Sequence, residues 1–317
     1  MKIVITGAGS FLGVTVCRSF QEAGDEVTAV CRAQSAGLAK IPKGVSVVHA
    51  SLEENGELVK RIEEREQAKV QGERKADVFI HLAWAGTGHD GRDEVDVQEA
   101  NVRYALEAMR AAHAMGCKLF VMAGSQAEYG STTLPQQEEM DCQPFSEYGK
   151  AKLQMWEEGK KLAAELGMKY LHLRIFSLIG EEDHPWTLVM SAVEKMLRDE
   201  TMALSDCTQN WNFLYARDAA EQIRRLCAYA MEEDAFGQQI YQIASDDTRP
   251  LKDFVERIRV LTGSKSDLQY GAVKPANRVS LQPDMGKLRK AIGMEIAPTD
   301  FDTVIERIIA TQNDKTI

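Results

Sequence analysis

Long apolar runs, paired cysteines and an excess of positive charge are all missing from this sequence. No apolar run approaches the roughly 18 residues that a membrane helix needs. The six cysteines include no Cys-x-x-Cys pair, so we expect free thiols in a reducing compartment and neither a disulfide framework nor a zinc site. Lysine and arginine number 38 against 48 aspartates and glutamates, a net charge of −10 that disfavours nucleic acid and anionic membranes as partners. Because a strand-like segment starts at residue 2, we expect no signal peptide and a cytoplasmic location.

The first half of the chain alternates short apolar runs with stretches of helical period, which is the pattern of βαβ units on a parallel sheet. The 317 residues suffice for about two domains. We predict a doubly wound α/β fold. Its strands are predicted at Lys2–Thr6, Glu26–Cys31, Val45–His49, Val78–Leu82, Lys118–Ala123 and Tyr170–Phe176. The intervening helices are predicted at Leu12–Ala23, Gly56–Lys69, Val97–Met115 and Tyr148–Leu166.

The second half is less regular and predicts a smaller α/β lobe. Helices are expected at Leu188–Arg198, Arg217–Ala230, Leu251–Leu261 and Phe301–Ala310, and strands at Asn212–Tyr215 and Gln239–Ile243. We assign residues 1–176 to the sheet domain, with 213–245 returning to it, and residues 177–212 and 246–317 to the lobe. Open α/β sheets bind ligands at the carboxyl ends of their strands, where such a lobe is expected.

A glycine-containing turn follows the first strand directly. Gly7, Gly9 and Gly13 leave room for a tight turn and for backbone N–H groups to approach a pyrophosphate at a helix amino terminus. The spacing departs from a clean G-x-G-x-x-G, and a turn without a ligand is the alternative. The position of the turn in the alternating pattern favours a dinucleotide site.

The end of the second strand bears on the choice of cofactor. An NAD site usually has an acidic side chain there to hold the adenosine ribose hydroxyls. Here Cys31 and Arg32 take that place. A guanidinium suits a 2′-phosphate, so we predict NADP, with NAD possible and an ordinary surface arginine as the alternative.

Tyr148 and Lys152 stand at i and i+4 near the start of a predicted helix, and therefore on one face. A tyrosine with the usual pKa of about 10 is a poor proton shuttle, and lowering that pKa to about 7 takes roughly 4 kcal/mol. An ammonium about 5 Å away supplies roughly 3 kcal/mol at an effective dielectric constant of ~20. The pair therefore predicts a tyrosine acid/base tuned by a lysine.

These residues resemble the extended short-chain dehydrogenase/reductases, the NAD(P)-dependent epimerase/dehydratase family. The resemblance rests on the turn, on Ser125 before Tyr129-Gly130, and on Tyr148-x-x-x-Lys152. It extends through His81-Leu82-Ala83 and Asn101-Val102, the segment Gln209–Asp218 that re-enters the Rossmann domain, and Gly293–Pro298 before the last helix. It therefore covers nearly the whole chain.

The resemblance implies a role for each matching residue. Tyr148 becomes the acid/base, Lys152 holds the nicotinamide ribose and tunes the tyrosine, and Ser125 hydrogen-bonds the reacting oxygen. Residues implied to contact the pyrophosphate or another part of the cofactor are Gly7, Gly9, Ser10, Phe11, Leu12, Gly13, Arg32, Ser51, Leu82, Ala83 and Asn101. Ser10 replaces the family's usual second glycine, and Ser51 replaces an aspartate near the adenine.

Family members that dehydrate sugars carry Asp-Glu directly after the catalytic Ser/Thr, where this chain has Gln126-Ala127. Elimination and decarboxylation are thereby disfavoured. Glu128 is expected to point to the opposite side if the segment is extended. Hydride transfer alone remains, and with an NADP site it favours reduction of a 4-keto group on a nucleotide sugar. The alternatives are a nucleotide-sugar 4-epimerase, a reductase of a non-nucleotide carbonyl and a cofactor-sensing regulator.

The substrate end and the assembly are less well defined. Trp211 stands where many sugar-nucleotide members have an arginine, and it is a stacking residue or a packing residue. A diphosphate could meet Lys274, Arg278 or Arg249, and His184 falls where substrate could pass; surface roles are the alternative for each. We also expect a homodimer through the two helices Val97–Met115 and Tyr148–Leu166, with an interface of Leu106, Met109, Ala112, His113, Met155 and Leu162.

Overall fold

The computed structural model describes residues 1–65, 76–88, 90–132, 134–274, 279–293 and 298–314. The chain folds into two compact units. The first comprises residues 1–130, 141–175 and 220–243, and the second residues 131–140, 176–219 and 244–317.

A parallel seven-stranded sheet forms the first unit. Its strands are β1 (Lys2–Thr6), β2 (Glu26–Cys31), β3 (Ser46–His49), β4 (Val78–His81), β5 (Leu119–Ser125), β6 (Lys169–Ile175) and β10 (Gln238–Ile243). Their order in the sheet is β10-β6-β5-β4-β1-β2-β3, and the predicted doubly wound α/β fold is confirmed. The helices are α1 (Phe11–Glu22), α2 (Leu58–Arg65), α3 (Val95–Ala114), α4 (Glu147–Glu165) and α6 (Ala216–Glu232), which begins in the second unit.

Predicted and observed elements of the first unit agree to within a few residues at their ends, with one larger difference. A helix was predicted over Gly56–Lys69, but residues Leu52–Glu57 form a 3₁₀ turn and α2 covers only Leu58–Arg65. The remainder of the prediction lies outside the described residues. None of the described helices is long and apolar enough to cross a membrane.

The second unit has its own small sheets and its own apolar core. Antiparallel β11 (Thr248–Pro250) and parallel β7 (Ser177–Ile179) flank β9 (Asn210–Tyr215), and β8 (Met202–Ala203) pairs with β12 (Leu268–Gln269). Its helices are α5 (Leu188–Leu197), α7 (Leu251–Thr262), α8 (Gly286–Ile292) and α9 (Phe301–Asp314). The sequence predicted neither the two- and three-residue strands nor α8, because such short segments show no period.

The boundary between the units differs from the prediction in two places. Residues 213–215 were assigned to the sheet domain, but they belong to β9, which pairs with β7 and β11 of the second unit. The chain returns to the first unit within α6, between Ala219 and Ala220. Residues 131–140 also belong to the second unit, where Gln136 N donates to the Gln282 carbonyl.

Most residues of the expected dimer interface belong to the first unit's own core. Met109, Ala112, Met155 and Leu162 are buried there with the apolar residues of the sheet. The helices α3 and α4 are neighbours, as expected, but these four side chains point inward. Their assignment to an interface was wrong because an apolar stripe at helical spacing marks the buried face of a helix. Leu106 is half-buried, and His113 is exposed.

Candidate active site

The predicted phosphate-binding turn joins β1 to α1 and lies against the segment that follows β4. Gly7 has a φ of +69°, and a Cβ built on it would lie 2.6 Å from the Ala83 nitrogen. A Cβ on Gly13 would lie 2.2 Å from the Gly7 carbonyl oxygen. Glycine is therefore required at both positions by the chain's own backbone, which closes the turn to a narrow cradle.

Ser10 caps the first helix. Its backbone is extended, with φ −83° and ψ 167°, and its hydroxyl oxygen accepts a hydrogen bond from Gly13 N at 3.0 Å. Since the oxygen accepts this bond, the O–H is left to donate to a ligand. No acidic residue occupies the first turn of α1. The positive end of the helix therefore faces the turn without a competing carboxylate, as an anion site requires.

Gly9 lies in contact with the segment that follows β2. The segment after β2 folds back over it, with Ser35 Oγ donating to the Gly9 carbonyl at 3.3 Å. A Cβ on Gly37 would lie 2.1 Å from that same oxygen. Gly9 and Gly37 together allow two backbone segments to touch. Whether Gly9 also meets a cofactor stays a prediction.

A cavity of about 300 Å³ opens beside the turn. It brings together the predicted residues Gly7, Arg32, Ser51 and Ala83 from the ends of different strands. Its other walls are Thr6, Val30, Ala50, Leu52, Glu53, Trp84 and Ala85. A cavity with both polar and apolar walls beside a helix amino terminus and a glycine turn fits the adenosine side of a nicotinamide dinucleotide.

Glu53 and Trp84 are cavity residues that the sequence did not reveal. Glu53 lies in a charge-rich stretch without a motif, and its carboxylate accepts from Ser51 Oγ at 3.3 Å. Trp84 occupies a position that carries no periodic signal. Position in the fold alone places both at the cavity.

Ser125, Tyr148 and Lys152 are brought together in the first unit, at the end of β5 and the start of α4. Lys152 Nζ lies 5.6 Å from the centroid of the Tyr148 ring and donates to the Ala123 carbonyl at 2.6 Å. Burial lowers the pKa of Lys152 to about 7. Burial raises the pKa of Tyr148 above its usual value, and a hydrogen bond with the Ser125 side chain and the charge of Arg92 offset this rise only in part.

Glu128 does not follow the extended geometry that was expected. Residues Gln126–Tyr129 form a 3₁₀ turn capped by Ser125, which folds the Glu128 carboxylate into the interior. There it accepts from Ser125 N at 2.8 Å and contacts His172 Nε2 at 2.9 Å and Arg174 Nε at 2.8 Å. Burial would raise the pKa of Glu128, but His172 and Arg174 lower it to about 2. A buried carboxylate thus anchors the backbone of Ser125.

Asn101 lies in α3 behind the end of β4. It is buried, its Oδ1 accepts from Ala85 N, and its Nδ2 donates to the Ala85 carbonyl, both at 2.9 Å. Both ends of the amide therefore hold the segment after β4. These contacts support the cavity wall at Ala85, and the predicted cofactor contact of Asn101 stays a prediction.

The candidate substrate residues lie in the second unit, where the structure describes them. Trp211 is half-buried beside Phe213, and the Arg249 guanidinium stacks 4.2 Å from the Phe254 ring centroid. His184 is exposed and stacks 4.4 Å from Trp186. Lys274 is exposed as well. Arg278 lies outside the described residues.

Comparison with known proteins now identifies the family. The model of the NAD dependent epimerase/dehydratase family matches residues 3–244. This chain belongs to that family of NAD-dependent enzymes. It is 24% identical to a UDP-glucose 4-epimerase of Corynebacterium glutamicum, over 96% of this chain and 94% of the relative. It is 25% identical to the 2'-dehydrokanamycin reductase of Streptomyces kanamyceticus, over 83% of this chain and 67% of that protein.

Solved structures share the fold over essentially the whole chain. The UDP-glucose 4-epimerase of Thermotoga maritima, solved with UDP-glucose, has a TM-score of 0.85 at 20% identity and 100% coverage of both chains. The UDP-glucose 4-epimerase of Thermus thermophilus, solved with NAD, has a TM-score of 0.80 at 17% identity and 99% coverage of both chains. The fold predicted from the alternating pattern is thus the fold of these enzymes.

Proposed function

We propose that this member of the family is a 4-epimerase of a nucleotide sugar. A bound nicotinamide dinucleotide would supply the hydride acceptor and donor for oxidation and re-reduction of the sugar carbon. Tyr148 takes the proton from the hydroxyl on that carbon and gives it back to the keto oxygen. Ser125 hydrogen-bonds the same oxygen, and Lys152 holds the nicotinamide ribose.

The observation that carries this proposal is the single proton-transfer residue beside Ser125 and Lys152. Gln126 and Ala127 replace the acidic pair of the dehydrating members, and Glu128 is turned into the interior in contact with Arg174. Oxidation and re-reduction at one carbon need one proton-transfer residue, because the proton removed during oxidation is returned during reduction. Elimination would need a second proton donor. The similarity to UDP-glucose 4-epimerases supports the same reaction.

Reduction of a 4-keto sugar nucleotide is the second candidate, and it was the first choice on sequence grounds. Arg32 favours the reductase, because this arginine suits the 2′-phosphate of NADPH and NADPH serves net reductions. The epimerase is preferred because a 4-epimerase is similar to this chain over 96% of its length.

The cofactor preference depends on two opposite charges in the same cavity wall, Arg32 and Glu53. Arg32 can pair with the 2′-phosphate of NADP, whereas the Glu53 carboxylate can accept from the ribose hydroxyls of NAD. The proposed preference remains NADP, because Arg32 follows the strand end that carries no carboxylate. NAD is the alternative, and two structural relatives were solved with it.

Incubation with UDP-glucose tests the reaction. Proton NMR is expected to show UDP-galactose accumulating to equilibrium with no net change at the reduced-nicotinamide band. Tyr148→Phe is expected to lower turnover at least ~10²-fold, the usual scale of acid–base help, with cofactor affinity nearly unchanged. The epimerase proposal fails if a panel of nucleotide-4-keto-6-deoxysugars consumes NADPH stoichiometrically while UDP-glucose stays unchanged.

We also propose a homodimer, with an interface formed by the outer faces of α3 and α4. Half-buried Leu106 and Leu153 lie on those helices beside exposed charged residues. Light scattering at micromolar concentration is expected to give twice the 35.3 kDa chain mass. A monomer mass would reject this assembly.

A further inference from the structure

An arginine that no motif marks lies against the ring of the proposed catalytic tyrosine. The Cζ atom of Arg92 is 4.3 Å from the Tyr148 ring centroid, nearer than the 5.6 Å that separates Lys152 Nζ from it. Two cations therefore flank one phenol. The nearer of them comes from the segment between β4 and α3.

Hydrogen bonds fix this segment at both of its ends. Gln98 on α3 is buried, and its Nε2 donates to the carbonyls of Gly86 at 3.0 Å and Gly91 at 2.8 Å. Its Oε1 accepts a hydrogen bond from Trp84 Nε1 at 2.8 Å. The backbone of Arg92 is bonded to the tyrosine itself, because Tyr148 N donates to the Arg92 carbonyl at 2.9 Å. The position of the guanidinium over the ring is thus built into the fold.

The charge of Arg92 acts on Tyr148 without a competing anion of its own. Within the described part of the chain, no carboxylate pairs with Arg92, whereas other arginines such as Arg174 and Arg257 are paired. Among the described residues, Tyr148 also meets the ring of Trp84, the hydroxyl of Ser125, the ammonium of Lys152 and the charge of Glu128. Glu128 opposes the two cations.

The two cations differ in how they respond to pH. Burial lowers the pKa of Lys152 to about 7, so its charge fades as pH rises above neutrality. A guanidinium stays protonated throughout the working range. Arg92 is therefore the permanent charge beside the phenol. At a separation of about 5 Å and an effective dielectric constant of ~20, such a charge shifts a pKa by about two units.

We propose that Arg92 is a second cation of the catalytic centre, which stabilises the phenolate form of Tyr148 during proton transfer. This inference rests on the acid/base role of Tyr148 in the proposed function. Arg92 acts through the tyrosine and is a positioning and tuning residue, and it is distinct from the Tyr–Lys pair that the motif supplies.

Direct titration of the tyrosine tests the proposal independently of activity. Protein labelled with ¹³C at tyrosine Cζ gives one NMR signal for each of the eight tyrosines, and Tyr148→Phe identifies the signal of Tyr148. We expect Arg92→Gln to raise the midpoint of that titration by about one to two units. Arg92→Lys should retain at least half of the native effect. The control is Arg198→Gln, whose arginine is a surface residue with a side chain 62% exposed, and it should leave the midpoint unchanged.

The pH–rate profile provides the second measurement. The acidic limb for epimerisation should move to higher pH by the same one to two units in Arg92→Gln, because the phenolate removes the hydroxyl proton. In native protein, the chemical shift of the Arg92 Nε–H group should change with pH, and the midpoint of this change should equal that of the Tyr148 titration. That measurement needs no variant and decides the matter even if Arg92→Gln does not fold.

The outcomes separate the two proposals. An unmoved Tyr148 signal in folded Arg92→Gln, or an Arg92 resonance that ignores the titration, overturns the role of Arg92 whatever the reaction is. If the midpoint moves but Tyr148→Phe keeps full epimerase activity, the charge effect stands and the proposed function fails.

Discussion

The ammonium of Lys152 lies 3.5 Å from the centroid of the Trp84 ring. It also donates to the Ala123 carbonyl at 2.6 Å, and the residue is 2% exposed. The indole covers the lysine, and Gln98 holds the indole. Covering an ammonium from water removes its hydration, and this burial lowers the pKa of Lys152 to about 7.

Lys152→Met is expected to flatten the pH dependence of stability. In the native protein the unfolded lysine binds its proton up to about pH 10.5, whereas the folded one releases it above about pH 7. Stability therefore rises with pH between these values in the native protein and falls again as pH decreases toward 7. The free energy of unfolding of Lys152→Met, relative to that of native protein, should be highest below pH 7. This difference should shrink by a few kcal/mol by pH 10.5.

Urea unfolding at several pH values measures this difference, since the other titrating groups cancel between the two proteins. Lys150→Met removes an exposed lysine paired with Glu147 from the same helix, and it should keep the native slope. If the slope of Lys152→Met also equals the native slope, Lys152 titrates normally in the folded chain.

Glu128→Gln is expected to destabilise the protein by about 3–5 kcal/mol, because it leaves the buried Arg174 without its anion. The surface pair of Glu139 and Lys287 provides the control, and Glu139→Gln should lose less than about 1 kcal/mol. The contribution of Glu128 is present above about pH 4.5 and is lost as pH falls toward about 2. The native and Gln proteins should therefore converge in acid. Equal losses for both substitutions would contradict a buried anchor at Glu128.

Gly37→Ala is expected to weaken cofactor binding about tenfold or more. Its φ of −86° suits any residue, but the new methyl group would lie 2.1 Å from the Gly9 carbonyl and push the segment off the turn. Titration calorimetry measures the affinity. Gly56→Ala is the matched control, because nothing lies within 4 Å of its added carbon. An affinity within twofold of native for Gly37→Ala would show that the turn does not need this contact.

Arg32 and Glu53 are expected to act in opposite directions on cofactor choice. Arg32→Ala should erase most of a several-fold preference for NADP, whereas Glu53→Gln should strengthen NADP binding by removing a negative charge from the wall. Calorimetry with NADP and NAD on each variant measures both effects. Identical affinities for the two cofactors in native protein would reject the assigned preference.

The sequence was sufficient for features that depend on neighbours along the chain. The strand-turn-helix at Gly7–Gly13, the alternation of strands and helices, and the pairing of Tyr148 with Lys152 on one helical turn are all local. Each follows from a period of two or 3.6 residues or from a glycine requirement, and these patterns survive in the linear order of residues. The same patterns misled at α3 and α4, where an apolar stripe was assigned to a partner helix and belongs to the chain's own core.

Long-range packing determined the site contacts that the local sequence patterns did not predict. Glu128 meets His172 and Arg174, Trp84 covers Lys152, and Arg92 lies over Tyr148, all through contacts between segments far apart in the sequence. Glu128, Trp84 and Arg92 carry no periodic signal, because their roles are set by which strand ends lie side by side in the sheet. The sheet order β5-β4-β1-β2 places those ends together, and the charges that tune the site act across space with no regard for separation along the chain.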